Sequence, residues 1–339
     1  MEDRNVSWSL FPILMYDTDI GVGYGGKGKI VNLFRKRESF DLMLFNSSKG
    51  ERTYTLLFSW PDLELRQRTV YAWSLDIKAE YSKYLKQYYF GLGPDTSKDD
   101  LTYYTDEKKE LQITLGRGFN PSFVAELQYS FKNVAFFNVE QERAFTDTLE
   151  RAGEEFSPFA SLVLRYDTSD SRIHPREGIR FTLRGDAAGG WMGNTNAAYW
   201  RYRLDLRSFK RLWGERNVLA LRALVEQAGG SDIPLFELPV LGGHSEFNAL
   251  RGYQLNRFRD RGKLLLNGEY RFSIWKRLGG NVFVDAGTVW PDWGRIHLDR
   301  MAANAGWGLR YYLANFVVRF DMGFGPEGTG IYFNFGHVF

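Results

Sequence analysis

Leu250-Arg251-Gly252-Tyr253 lies in a polar, glycine-bearing stretch that opens with Gly242-Gly243, and two carboxylates, Glu269 and Asp285, follow it. Both acids stand on the polar phase of a segment that alternates residue by residue. Around the first, Leu266, Tyr270, Phe272 and Ile274 share one face, and Asn267, Glu269, Arg271 and Ser273 the other. Side chains of a strand point alternately to its two faces. An arginine with two acidic partners among such strands implies a barrel with a polar interior, into which the arginine's loop is folded and locked.

Outward from this stretch the same period of two recurs along the chain. Phe123, Ala125, Leu127, Tyr129 and Phe131 oppose Glu126, Gln128, Ser130 and Lys132; Trp73, Leu75, Ile77, Ala79 and Tyr81 oppose Ser74, Asp76, Lys78 and Glu80. No helical stretch is available to cover a sheet, so the economical arrangement turns the apolar faces to lipid and the charges to a watery lumen. The fold class is therefore all-β: a transmembrane antiparallel β-barrel, with residues 1–19 as an N-terminal segment and 20–339 as the barrel. Sixteen strands are expected, near 20–31, 38–46, 51–60, 69–81, 86–91, 105–117, 122–137, 156–167, 178–189, 197–210, 217–229, 262–275, 279–290, 302–313, 316–323 and 330–339. The segment 86–91 makes the count even, as single-chain bacterial barrels require. Long links at 92–104, 138–155, 230–261 and 291–301 read as extracellular loops, with 230–261 between strands 11 and 12. The links 47–50 and Ala314-Asn315 read as tight periplasmic turns.

Composition agrees. Of 339 residues, 17% are aromatic and 35 are glycine, which suits aromatic girdles and many turns. No run of about 18 apolar residues is present, which excludes a transmembrane helix. A net charge of +3 and no basic stripe argue against nucleic acid. With no cysteine, disulfides and thiolate metal sites are excluded. His174, His244, His297 and His337 are scattered and make no metal set, and Asp95, Asp99 and Asp100 lack the spacing of a calcium loop. Ser231 and Ser245 near His244 have no nucleophile elbow, so neither catalysis nor a cofactor is expected.

Four motifs carry a resemblance to a family. Gly242-Gly243 with Leu250-Arg251-Gly252-Tyr253 is similar to an arginine-glycine-aromatic motif at a lumenal loop tip; Asn267-Gly268-Glu269-Tyr270 to an Asn-x-Glu pattern; Val282-Phe283-Val284-Asp285-Ala286-Gly287 to Phe-x-Asp-x-Gly; and Tyr332-Phe333-Asn334-Phe335-Gly336-His337-Val338-Phe339 to a terminal targeting signal. Together they resemble the barrel domain of the bacterial surface antigen superfamily, which holds BamA- and TamA-type outer-membrane assembly factors and two-partner secretion transporters. His337 departs from the aromatic usual at its position, and Ser169, in Tyr166-Asp167-Thr168-Ser169-Asp170, stands where that family carries arginine.

The resemblance implies location in the bacterial outer membrane and activity without covalent chemistry: inserting or translocating protein, or perturbing the bilayer, at a lateral seam between first and last strands. Gly21, Gly23, Gly25 and Gly26 would line that seam opposite Tyr332, Asn334 and Gly336, where glycines weaken the strand; close backbone packing is the plainer reading of the same glycines. Phe333, Phe335 and Phe339 would carry the targeting signal. Arg251 with Glu269 and Asp285 would be either a strut that pins the loop or a switch. Partners would be outer-membrane lipids including lipopolysaccharide, and unfolded barrel clients or accessory periplasmic proteins. The family's insertases carry periplasmic POTRA modules, and residues 1–19 are too few for one. The chain opens Met1-Glu2-Asp3-Arg4, which is not an export signal. Two other readings stay open: a passive pore or structural barrel lined by Asp76, Lys78, Glu126 and Lys132, and the membrane module of a larger protein.

Overall fold

In a bilayer every backbone N–H and C=O must find a partner within the protein, and strands achieve this only by closing on one another. The computed structural model, which describes residues 6–18, 20–141, 143–193, 197–214, 217–313 and 316–339, shows such a closure. Among the described residues sixteen antiparallel strands form the wall. They are β1 (Ser7–Asp17), β2 (Gly21–Val31), β3 (Ser39–Ser47), β4 (Arg52–Trp60), β5 (Tyr71–Tyr89), β6 (Thr102–Asn120), β7 (Phe123–Phe137) and β8, which runs as Glu154–Phe156 and then Phe159–Asp167. The second half is β9 (Gly178–Ala188), β10 (Tyr199–Arg211), β11 (Val218–Gly230), β12 (Gly262–Trp275), β13 (Leu278–Trp290), β14 (Ala302–Tyr312), β15 (Val317–Gly325) and β16 (Gly328–Phe335). Each pairs with the next in sequence, and β16 returns to β1.

The strand number agrees with the expectation, but its members differ at the start. Ser7–Asp17, expected in an N-terminal segment outside the barrel, is part of the wall; it pairs residue for residue with β2, from Ser7↔Val31 to Asp17↔Gly21. Its sequence hides this, because Trp8, Leu10 and Leu14 on one phase meet Phe11, Ile13 and Met15 on the other. Period two disappears, and Pro12 argues against an interior strand. Proline is tolerated at sheet edges, and β1 is an edge over most of its length. Conversely, the two strands expected at 69–81 and 86–91 are one, β5, whose ladder to β6 slips between Tyr84 and Gln87. That bulge breaks the alternation and imitates a turn.

Two consequences follow for the seam and one for the ends. Gly21, Gly23, Gly25 and Gly26 lie on β2, all four paired to β1 and the last three also to β3, and not at the closure. Gly23 and Gly25 answer close packing: a Cβ on Gly23 would sit 2.4 Å from the Phe45 ring, and one on Gly25 2.0 Å from the Leu44 carbonyl oxygen. The turn around 48–50 joins β3 to β4 and therefore lies at the same end as the long loops, not at the periplasmic end. Ala314-Asn315 lies outside the described residues.

Outward and inward faces separate cleanly. On β6 the outward series is Glu107, Lys109, Leu111, Ile113, Leu115 and Arg117, charged at both ends and apolar between. At ~3.4 Å per residue this series spans about 34 Å of strand. With the usual barrel tilt that is about 25 Å of height, the thickness of a barrel's apolar band. Exposed Leu56, Ile77, Leu127, Leu162, Leu204, Leu221, Val284 and Leu309 continue the band. Inward, charge is paired: Arg201 bridges Asp186 (2.7 Å) and Glu237 (2.8 Å), Lys132 also holds Glu237 (2.6 Å), and Arg222 holds Asp205 (2.7 Å). Asp76, Lys78 and Glu126 are likewise paired inside, with Arg66, Glu80 and Arg165.

Candidate functional site

The link between β11 and β12 enters the lumen, as expected. Its descending and returning arms pair briefly, Val240↔Arg259 and Leu241↔Phe258. At the tip Leu250 and Tyr253 close a β-turn, the Tyr253 N–H donating to the Leu250 carbonyl (3.0 Å), with Arg251 and Gly252 at its corners. Leu250 and Tyr253 sink into an apolar cluster with Leu224, Leu241, Phe258, Leu265 and Val289. Burying them removes water from the turn, so the arginine between them must find its partners inside.

It finds three. The Arg251 guanidinium grips Asp285 with two parallel bonds, Nε to Oδ2 (2.9 Å) and Nη2 to Oδ1 (2.8 Å). Nη1 donates to Glu269 (2.7 Å) and to Asp321 (3.3 Å). The backbone N–H of Arg251 adds a bond to Asp285 (3.2 Å). The Phe283 ring lies 3.4 Å from Cζ, against the face of the fork. All four charged side chains are fully shielded from solvent. A planar fork with bidentate geometry does this where a lysine ammonium would not.

Glu269 and Asp285 were legible from strand phase; Asp321 was not, although it too stands on the inward phase of β15. Around the three acids stand further arginines. Arg271 donates to Glu269 (2.9 Å), Arg310 to Asp321 (2.6 Å), and Arg319 lies 3.5 Å from Asp321. Asp285 differs from the other two acids. Apart from Arg251, its bonds come from the amides of Asn267 (2.8 Å) and Asn304 (3.2 Å).

Gly252 has a role other than the tight turn alone. Its φ is not in the left-handed range, but a Cβ there would meet the Asn304 Cβ and the Gly325 nitrogen at 2.6 Å. The tip's backbone is slotted against inward glycines of β15 and β16. A Cβ on Gly323 or Gly330 would strike the Arg251 backbone at 2.5 and 2.4 Å, and one on Gly325 the Gly252 carbonyl at 2.5 Å. Their signal in the sequence is the alternation of glycine through Gly323, Gly325, Gly328 and Gly330.

The loop also holds the last strand. Tyr332 donates to the Arg251 carbonyl (3.3 Å), His244 stacks on Tyr332 with centroids 4.7 Å apart, and Asn334 bonds His244 (3.0 Å). Tyr332 and Asn334 thus face the loop with their side chains, while the Tyr332 backbone faces the seam opposite Asp17. β16 stops at Phe335, four residues before Phe339, the last of the expected targeting phenylalanines. Gly336 takes φ +80°, and the final residues turn into the lumen. Phe335 stays outward, but Phe339 packs inside with Phe209, Val218, Ala220, Ala249 and Val338, and its carbonyl accepts from Arg271 (3.0 Å).

The closure itself is short. Among the described residues, β1 and β16 share only Tyr16↔Phe333 and Asp17↔Tyr332 in register, extended by bonds between Thr18 and Ile331. The neighbouring β1–β2 ladder pairs every residue from Ser7 to Asp17.

A family model described as the Omp85 superfamily domain matches residues 32–339. Among solved structures, BamA from Haemophilus ducreyi lacking POTRA domains 1–3 superposes with a TM-score of 0.72 at 15% identity, covering 98% of this chain and 70% of that one. CdiB from Acinetobacter baumannii gives a TM-score of 0.61 at 14% identity, over 98% of this chain and 60% of its own. CdiB from Escherichia coli gives 0.65 at 11%, over 98% and 67%. At these identities the likeness is one of fold. No curated protein matches the chain.

Proposed function

The chain belongs to the Omp85 superfamily, a group of bacterial outer-membrane barrels, and from that premise we propose that it inserts or translocates protein by opening sideways between β1 and β16. The observation that carries this reading is the short seam. Below Tyr16 the backbone of β1 has β2 on one side and no ladder to β16 on the other, while the chain after Phe335 leaves the sheet. An unpaired edge is a template for another strand. An extended client segment would add to β1 by β-augmentation, with Trp8, Leu10 and Leu14 already facing lipid beside it.

Opening requires that β16 move as a unit. The lumenal loop grips β12, β13 and β15 through Arg251, and β16 through His244 and the Arg251 carbonyl. In this reading the ionic core is a strut that keeps β12 to β15 and the loop rigid while the seam yields. No group in the site is assigned a catalytic role; the work is done by hydrogen-bonding edges and by burial of apolar surface. The clients are unfolded barrel proteins, delivered with or without accessory periplasmic partners.

The test uses Tyr16→Cys with Phe333→Cys, a directly opposed pair in a chain that otherwise has no cysteine. In liposomes, oxidation should abolish the acceleration of client-barrel insertion and reduction should restore it. Full acceleration by the oxidised, cross-linked protein would end the seam reading.

A further inference from the structure

The outward face of β4 to β6 carries a feature that neither the loop nor the seam uses. At the loop end of the apolar band, Arg52 on β4 is the direct cross-strand neighbour of Lys83 on β5. Like charges directly opposite on one face of a sheet repel. Lys83 is next opposed by Glu107 of β6 and bonds it at 3.0 Å, its ammonium also lying 4.8 Å from the Phe137 ring. Lys109 follows one outward position below Glu107; it lies 3.5 Å from that carboxylate and is two-thirds exposed. Three cations therefore share one adjacent anion. The next acid on this rim, Glu154 of β8, is bonded by the Asn133 amide (3.1 Å). Among the described residues, no strand from β9 to β16 presents a charged outward side chain at this height; Trp200, Tyr202 and Ile331 occupy it.

Directly beneath the cations, toward the bilayer centre, the wall is hollowed. Ala79 pairs with Leu56 on one side and Leu111 on the other, and its small side chain leaves a trough between them. The trough has a volume of about 570 Å³, is walled by Leu42, Leu56, Leu111, Phe131 and Phe156, and has Lys109 at its upper lip. The stacked rings of Tyr54 and Tyr81, centroids 5.8 Å apart, mark the interface level beside it. Aromatic side chains sit at that level in membrane barrels.

We propose that this face is a binding site for a phosphorylated, multiply acylated glycolipid of the outer leaflet, the chemistry of lipid A. Charge complementarity selects the occupant. Arg52 and Lys109 would hold phosphate at the headgroup level, an acyl chain would fill the trough over Ala79, and the Arg52–Lys83 repulsion would be relieved by the bound anion. A phosphate without acyl chains gains only the screened ion contacts, and a lipid without phosphate gains only the trough. The site tethers the β4–β6 wall to the outer leaflet, on a stretch separate from the β1–β16 edge, and does not depend on the insertion reading.

Native mass spectrometry of the whole chain in detergent micelles tests it, with bisphosphorylated lipid A, its dephosphorylated form, phosphatidylglycerol and inorganic phosphate as probes. Bisphosphorylated lipid A should bind, and Arg52→Gln with Lys109→Gln should weaken it about tenfold, the sum of two screened charge contacts. Ala79→Leu, which fills the trough and leaves the cations in place, should weaken it as well. Heat-modifiability on semi-native gels should match the parent for both variants, which separates lost binding from lost folding. Unchanged affinity in both variants would overturn the proposal. So would equal binding of the dephosphorylated lipid or of phosphatidylglycerol, or displacement of lipid A by inorganic phosphate at matched concentration.

Discussion

Replacing Arg251 by alanine tests the ionic core where its geometry is most specific. The substitution leaves three buried carboxylates, but not three equal orphans. Glu269 keeps Arg271 and Asp321 keeps Arg310, whereas Asp285 is left with the amides of Asn267 and Asn304. The penalty falls on Asp285, and breaking a buried pair in this way costs about 3–5 kcal/mol. Adding Asp285→Asn removes the stranded charge. Contacting residues couple by about 0.5–3 kcal/mol, so the double variant should recover up to that much. Arg251→Lys should fall between parent and alanine, because an ammonium cannot bond Asp285 twice and also reach Glu269. The assay is urea unfolding in micelles followed by the fluorescence of the 10 tryptophans, with limited proteolysis between residues 231 and 261 to report release of the loop. If Arg251→Ala unfolds at the parent's urea concentration and its loop stays protected, the strut does not exist. If Asp285→Asn makes matters worse in the alanine background, the cost has been assigned to the wrong acid.

Three further outcomes are expected. Gly252→Ala forces a Cβ to within 2.6 Å of Asn304 and of the Gly325 nitrogen, so it should lower stability by about 1–3 kcal/mol, as overpacking does, and expose the loop to protease; a neutral result in both assays would mean the tip is not slotted as described. In planar bilayers the parent should show small, flickering conductance, because the β11–β12 link runs inside the lumen, and deletion of residues 240–259 should raise it; a large steady current from the parent would favour the passive pore. Deleting Phe339 should reduce the amount of folded barrel reaching the outer membrane and also weaken the cluster with Phe209 and Ala249; wild-type levels in cell fractions would remove its targeting role.

Much of the barrel was legible because its rule is local. Neighbouring residues of a strand face opposite media, so alternation alone located β6 to β15 to within a few residues and set Glu269 and Asp285 on the inner face. The same rule failed where local pattern and environment parted. β1 faces the seam region with Phe11, Ile13 and Met15 inward, which erased the alternation, and the bulge in β5 interrupted it. The arginine tip was found through its motif; the glycine slot that receives it was not, since the spaced glycines from Gly323 to Gly330 do not say which segment, 70 to 80 residues away in the chain, will lie against them.

By itself, the sequence determined a lipid-facing wall, a charged lumen and an arginine that had to be buried with acids. Only the tertiary structure decided which acids, which strand closes the wall, and that the chain turns inward at Gly336. Those outcomes depend on pairings between residues far apart in the chain. A period of two says which face a side chain takes and is silent about which distant neighbour meets it there.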